Sequence, residues 1–297
     1  MITKDTLFCQ KYFINCGGKI INLSSSLVMG VINITSDSFY SDSRFQSIKD
    51  ILLKTEKMLS DGADIIDIGA ASSRPGAGLI SSKDELNKLI PALKAVNKEF
   101  PDVIISIDTY NAETASETIK NGAHIINDIS AGSIDKKMFQ TIAENNVPYI
   151  IMHMQGTPQN MQEKPSYKNI IKEISLYFAK KIDELTKLGV KDIIIDPGFG
   201  FGKTLEHNYE LLNKLEYFKI FNNPLLVGLS RKSMINKALN IKPGEALNGT
   251  TVLNSIALTK GANILRVHDP KEARQAIRLI ERLNDYSTND LSDCKLN

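Results

Sequence analysis

The chain has 297 residues, 42% hydrophobic and 24% charged, a composition that excludes general disorder and supports a full core. Lys and Arg number 36 against 34 Asp and Glu, a net charge of +2, so nothing calls for a nucleic acid or other large polyanion as partner. Length alone suggests two domains of ~150 residues, although a barrel of alternating strands and helices often reaches ~250 residues as one.

The opening Met1-Ile2-Thr3-Lys4-Asp5 lacks the apolar stretch of a signal peptide. No apolar run approaches the ~18 residues of a membrane span, which predicts no membrane partner. Cys9, Cys16 and Cys294 form neither a CxxC pair nor a metal spacing, and so few cysteines predict a reduced, cytoplasmic protein. Around Cys16-Gly17-Gly18-Lys19, two apolar stretches meet at a hairpin turn. Residues 1–26 therefore read either as a hairpin extension closing one end of the fold or as a loosely attached arm.

From there on a unit repeats. Eight short runs rich in Val and Ile are predicted as strands: Val28–Ile34, Asp64–Ile68, Val103–Ile107, His124–Ile129, Val147–Met152, Asp192–Ile195, Leu225–Leu229 and Asn263–Val267. Between them lie helical patterns such as Ile48–Leu59, Lys83–Asn97, Ala112–Lys120, Ile170–Leu188 and Asn208–Phe218. Gly62-Ala63, Gly122-Ala123, Gly189-Val190 and Gly261-Ala262 mark the returns from helix to strand, where a residue past the helix end adopts positive φ. Such apolar strands suit a parallel sheet covered by helices. Eight units predict an α/β fold, a single (β/α)8 TIM barrel over residues 27–283. The extension 1–26 closes its bottom as a β-hairpin, and 284–297 forms a polar tail.

Catalytic groups of parallel barrels sit at the C-terminal ends of the strands. Here the strands end at Asn33, at Asp67 with Ser73 and Arg74 beyond, and at Asp108, Asn127-Asp128, His153 and Asp196. Ser230-Arg231-Lys232-Ser233 follows the seventh strand, and Arg266 and His268 lie on the eighth. Singly, each Asp also reads as a helix N-cap; all eight strands delivering polar groups to one rim predict a site. Asp108, Asn127, Asp196 and Lys232 complement a flat heterocycle with a guanidine-like donor edge and carbonyl acceptors. Asn33, Arg74, Arg266 and His268 suit a phosphate or pyrophosphate with Mg²⁺. The helix starting near Ser233 offers N–H groups to a further anion.

Other motifs fail. Gly198-Phe199-Gly200-Phe201-Gly202-Lys203-Thr204 has Pro197 where a P-loop needs its first glycine, and it misses the last position of GxGxxG. Its phenylalanines are either ligand walls or ordinary packing. His153 has no second His or Cys at ligand spacing, which argues against zinc. Lys232 fits either binding or a Schiff base.

The motifs resemble those of the dihydropteroate synthase family across nearly the whole chain. The matching segments are Met29-Gly30-Val31-Ile32-Asn33-Ile34-Thr35-Ser36-Asp37-Ser38-Phe39, Ser72-Ser73-Arg74-Pro75-Gly76-Ala77, Ser106-Ile107-Asp108-Thr109 and Ile126-Asn127-Asp128-Ile129, then Met152-His153-Met154-Gln155-Gly156, Asp196 to Lys203, Ser230-Arg231-Lys232-Ser233 and Arg266-Val267-His268-Asp269. The resemblance implies a folate-pathway transferase, homodimeric and a sulfonamide target, that joins p-aminobenzoate to dihydropterin hydroxymethyl diphosphate and releases pyrophosphate. It implies pterin contacts from Asp108, Asn127, Asp196 and Lys232, and diphosphate contacts from Asn33, Ser73, Arg74, Arg266 and His268. It further implies p-aminobenzoate contacts from Phe201 and Ser233, Mg²⁺ on Asn33, and catalytic roles for Asp108, Lys232, Arg266 and His268. Asp37 and Phe39 fall on the family's mobile first loop.

The chain departs from the family pattern where Ser36 replaces a proline, where Asp42-Ser43-Arg44 replaces a Gly-Gly, and where Ala70-Ala71 replaces a Gly-Glu. Three other readings compete: a pterin-binding methyltransferase domain, a non-catalytic pterin-binding paralogue, and a Lys232 Schiff-base lyase.

Overall fold

The computed structural model describes residues 13–34, 41–71, 78 and 80–287, with side chains in the first helix only from residue 48 onward. Two short strands, β1 (Phe13–Cys16) and β2 (Lys19–Asn22), pair antiparallel as a hairpin. The repeat follows: β3 (Leu27–Asn33), α1 (Ser41–Ser60), β4 (Ile65–Gly69), α2 (Ser82–Glu99), β5 (Ile104–Asp108), α3 (Ala112–Lys120), β6 (Ile125–Asp128) and α4 (Met138–Asn145). It continues with β7 (Tyr149–Met152), α5 (Ile170–Lys187), β8 (Ile193–Asp196), α6 (Leu205–Asn213), β9 (Leu226–Val227), α7 (Ser233–Leu239), α8 (Leu247–Thr259), β10 (Ile264–Val267) and α9 (Pro270–Ser287).

The eight strands after the hairpin form one parallel sheet in the order β8-β7-β6-β5-β4-β3-β10-β9. Its ends meet through a single parallel bridge, Ile195 to Leu225, so the ring closes by its thinnest contact. This is the expected (β/α)8 barrel. Gly62, Gly122, Gly189 and Gly261 all have positive φ, as the helix-to-strand joints require.

Alternation along the strands sorts side chains into two cores. One set, including Ile66, Ile105, Ile126 and Ile151, packs outward against the helices. The other fills the barrel axis: Met29, Ile65, Ile104, Ile125, Ile150, Ile194, Leu226 and Ile264, at least one from each strand. Ile14 and Cys16 of the hairpin and Leu23 beside it join that inner cluster. Thus the hairpin plugs the N-terminal end of the barrel, and the looser-arm alternative falls away. Burial there pushes the Cys16 thiol up to about 12, which leaves it unreactive.

Some boundaries move. Apolar patterning stops the second, third and sixth strands at Ile68, Ile107 and Ile195, but pairing carries each one residue further, to Gly69, Asp108 and Asp196. The pattern reports side-chain burial, whereas the ladder follows the backbone. Pro148 has no N–H, and β7 begins only at Tyr149. The segment expected as one helix over Asn208–Phe218 divides at Lys214 into α6 and a 3₁₀ turn, Leu215–Phe221. The last helix continues to Ser287, four residues into the expected polar tail.

Candidate active site

The same parity that stacks isoleucines on the barrel floor builds the site above it. Two residues beyond Ile65, Ile125, Ile194 and Ile264 stand Asp67, Asn127, Asp196 and Arg266, each therefore turned toward the axis. Asp108 lies four beyond Ile104. Asp128, next in sequence to Asn127, has the opposite parity and caps its own loop, accepting from Ser130 N, Gly132 N and the Tyr149 hydroxyl.

Arg266 is the centre. Its Nε donates to Asp67 Oδ2 at 2.7 Å and its Nη2 to Asp108 Oδ2 at 2.7 Å. Asn127 Nδ2 reaches the same Asp67 oxygen at 3.1 Å. Burial works against the charge on Arg266, but Asp67 and Asp108 outweigh it and keep the guanidinium protonated. Burial also pushes the Asp108 carboxyl up, to about 7, against the opposing pull of Arg266. Pterin and diphosphate groups, expected as separate sets, are joined by the geometry: Asp108 belongs to the first set, Arg266 to the second, and they are bonded. A guanidinium has five N–H donors. The two bonds to carboxylates leave it donors for a phosphate.

Asp67 stands at a predicted strand end and carries no expected role. Its sequence signal is strand parity: Asp67 lies two residues beyond Ile65, an inward position where a carboxylate requires a counter-charge.

Lys232 forms the other half. Its Nζ donates to the Phe199 carbonyl and lies 4.8 Å from the centre of the Phe201 ring. Burial lowers its ammonium to about 8, with Asp196 pulling the other way. Asp196 Oδ1 accepts from Gly198 N at 2.8 Å, and burial raises its carboxyl above the ordinary range. Gly228 borders both halves: a Cβ there would lie 3.8 Å from Lys232 Nζ and 3.9 Å from Arg266 Cβ. The two phenylalanines divide their roles. Phe199 is buried in the outer core, and half-buried Phe201 faces the lysine.

At the rim, Ser230 Oγ accepts from His268 N at 3.2 Å and lies 3.0 Å from His268 Nδ1. With the Ser230 hydroxyl donating to Nδ1, the neutral ring keeps its one proton on Nε2 to donate to an anion. Partial burial and neighbouring Arg266 lower the imidazole pKa, which favours this neutral form. Arg231, a candidate cation beside Lys232, is otherwise engaged. In a left-handed conformation, it clamps Asp269 through two 2.8 Å bonds. Ser233 opens α7 and lines a cavity of about 230 Å³ with Gln162 and Lys237. Asn33 is exposed at the end of β3, while Ser36, Asp37, Phe39, Ser73 and Arg74 lie outside the described residues. No three His, Cys, Asp or Glu side chains converge as metal ligands among the described residues. Asn33, exposed at the strand end, offers one oxygen of the kind a hard divalent cation takes.

Residues 29–268 match the family described as pterin binding enzyme. The dihydropteroate synthase of Escherichia coli K12 is 44% identical over 266 residues, covering 89% of this chain and 94% of that one. The chain belongs to the dihydropteroate synthase family. A crystal structure of the Yersinia pestis dihydropteroate synthase in a sulfonamide drug complex superposes with a TM-score of 0.84 at 38% identity, over 92% of this chain and 99% of that one. The Xanthomonas albilineans enzyme with 4-aminobenzoic acid gives 0.84 at 29% identity, over 92% and 98%. The chain is thus a transferase of this family.

Proposed function

We propose that the chain condenses dihydropterin hydroxymethyl diphosphate with p-aminobenzoate to give 7,8-dihydropteroate and pyrophosphate. The observation that carries this reading is the barrel mouth itself: inward Asp67, Asp108, Asn127 and Asp196, with Arg266 and Lys232 both beside Gly228. The acids and the amide match the donor edge of a pterin, and Lys232 matches its carbonyl. Arg266, fixed by its carboxylates, and neutral His268 hold the diphosphate and stabilise its growing charge as the carbon–oxygen bond loosens. Asp108 offsets the positive charge left on the pterin side, and the aminobenzoate nitrogen attacks along the Phe201 face. Asn33 is the protein ligand we assign to Mg²⁺, which when bound neutralises charge on the diphosphate oxygens.

Purified protein with both substrates and Mg²⁺ is expected to release pyrophosphate; no release above background overturns the reading. The rate should peak between about pH 7 and 8. Below that window Asp108, whose pKa is raised, takes up its proton and loses its acceptor form. Above it Lys232, whose pKa is lowered, gives up its proton and loses its charge.

The assembly we assign is a homodimer. Two packed helices, α8 and α9, expose apolar pairs one turn apart, Val252 with Ile256 and Leu279 with Leu283. Sedimentation at twice the chain mass is the expected result, and Leu279→Glu should shift it to the monomer. No described helix is long and apolar enough to cross a membrane. We assign the protein to the cytoplasm, a reduced compartment that suits the free thiol of Cys16.

A further inference from the structure

Two residues of the rim motifs have no part in this reaction, His153 and Lys203, and they are bonded to each other. Lys203 is 3% exposed. Its Nζ lies 2.8 Å from the Gly198 carbonyl, 3.0 Å from that of Phe201, 3.2 Å from that of His153 and 3.1 Å from His153 Nδ1. No carboxylate is among these four partners, and burial pushes the Lys203 ammonium well below its ordinary value. A polar group at this depth is retained only where it is hydrogen-bonded, and here three of its four partners are backbone carbonyls of two strand-end loops.

The loops are already in contact. Gly198 has a φ of +70°, and a Cβ there would stand 2.0 Å from the His153 carbonyl oxygen. The other carbonyls of the segment are also taken: Gly200 O by Gln162, Gly202 O by Tyr167, and Phe199 O by Lys232. Lys203 therefore holds the carbonyls on either side of Phe199-Gly200, the stretch that presents one oxygen and one ring to Lys232.

We propose that Lys203, caged with His153, is a positioning residue for the second substrate: it sets the Gly198–Gly202 loop so that the Phe201 ring forms the wall for p-aminobenzoate. This rests on the reading of the rim as a dihydropteroate-forming site. Lys203 touches no reacting atom. Of the pterin groups, Asp108 and Asn127 stand on strands the loop does not touch, while Asp196 and Lys232 each share one hydrogen bond with it, so the pterin should lose less than the aminobenzoate. An anchor for the barrel as a whole would act on both substrates alike; an anchor for Phe201 acts on one.

The test is steady-state kinetics on Lys203→Met with each substrate varied. The KM for p-aminobenzoate should rise about tenfold, while the dissociation constant of the pterin diphosphate stays within about threefold. Phe201→Ala should give a comparable rise, and the double variant no more than about twofold beyond it, since both act through one ring. Equal weakening of both substrates, or additive effects in the double variant, overturns the proposal. If Lys203→Met does not fold, His153 decides. His153→Ala removes one acceptor and should raise the aminobenzoate KM about threefold. His153→Asn, with an oxygen near the Nδ1 position, should restore it. An unchanged KM in His153→Ala, or failure of His153→Asn to rescue, overturns the proposal. Wild-type protein that releases no pyrophosphate defeats the underlying reading, a result distinct from all of these.

Discussion

Arg266→Ala should lower kcat/KM about a thousandfold and destabilise the fold by about 3 kcal/mol. The first effect follows from losing the cation placed to receive the leaving diphosphate. The second follows from what stays behind. Asp67 is fully buried, Asp108 is 14% exposed, and Arg266 bonds both at 2.7 Å. Removing one partner of a buried pair costs more than the pair is worth, because a charge is left without compensation. A drop in Tm of about 5 °C would correspond to this in a chain of this size. The loss should also depend on pH. Without the guanidinium, burial and the neighbouring carboxylates of Asp67, Glu85 and Asp128 act unopposed on Asp108 and lift its folded pKa further above the ~3.9 of an unfolded Asp. A carboxyl with a raised folded pKa binds protons more readily in the native state, so the variant gains on wild type as pH falls. Thermal unfolding of both proteins at pH 6 and pH 8 checks this; a larger Tm difference at pH 6 would refute the charge argument.

Asp196→Asn should separate binding from stability. The carboxylate offers acceptors where a pterin presents donors, and an asparagine turns one of them into a donor. The cost to pterin affinity should be about a hundredfold, typical for a mismatched charged hydrogen bond in a closed site. Stability should hold or rise, because burial already penalises the ionised carboxyl, and the amide oxygen can still accept from Gly198 N. Lys232 would lose the carboxylate that sustains its charge, and the alkaline limb of the rate profile should move below about pH 8. Pterin titration by calorimetry and thermal melts decide together. Retained pterin affinity with a lowered Tm would make Asp196 a structural residue rather than a ligand group.

Much of the site was legible because the barrel converts chain order into position. Asp108, Asn127, Asp196, Lys232 and Arg266 were found by reading the last residues of each apolar run, and the structure brings them to one mouth. Asp67 was visible at the same kind of position, but its meaning depended on a partner 199 residues away, Arg266. The two phenylalanines stayed undecided for a similar reason: two residues apart, they would share a face in a strand, and only the turn through Gly200 sends one to the core and the other to the lysine. Arg231 next to Lys232 looked like a second ligand cation until Asp269, 38 residues on, claimed it.

Alone, then, the sequence determined the repeat, the number of strands, the single barrel in place of two domains, and the rim on which chemistry collects. These follow from local periodicity, from glycines at helix ends and from strand parity, all written within a few residues of where they act. The tertiary structure decided the pairings: Arg266 between Asp67 and Asp108, the hairpin as a plug rather than an arm, and Lys203 caged by His153 and its own loop. Each depends on an approach between segments far apart in the chain, where burial removes water and every charge must find a partner that sequence spacing does not encode.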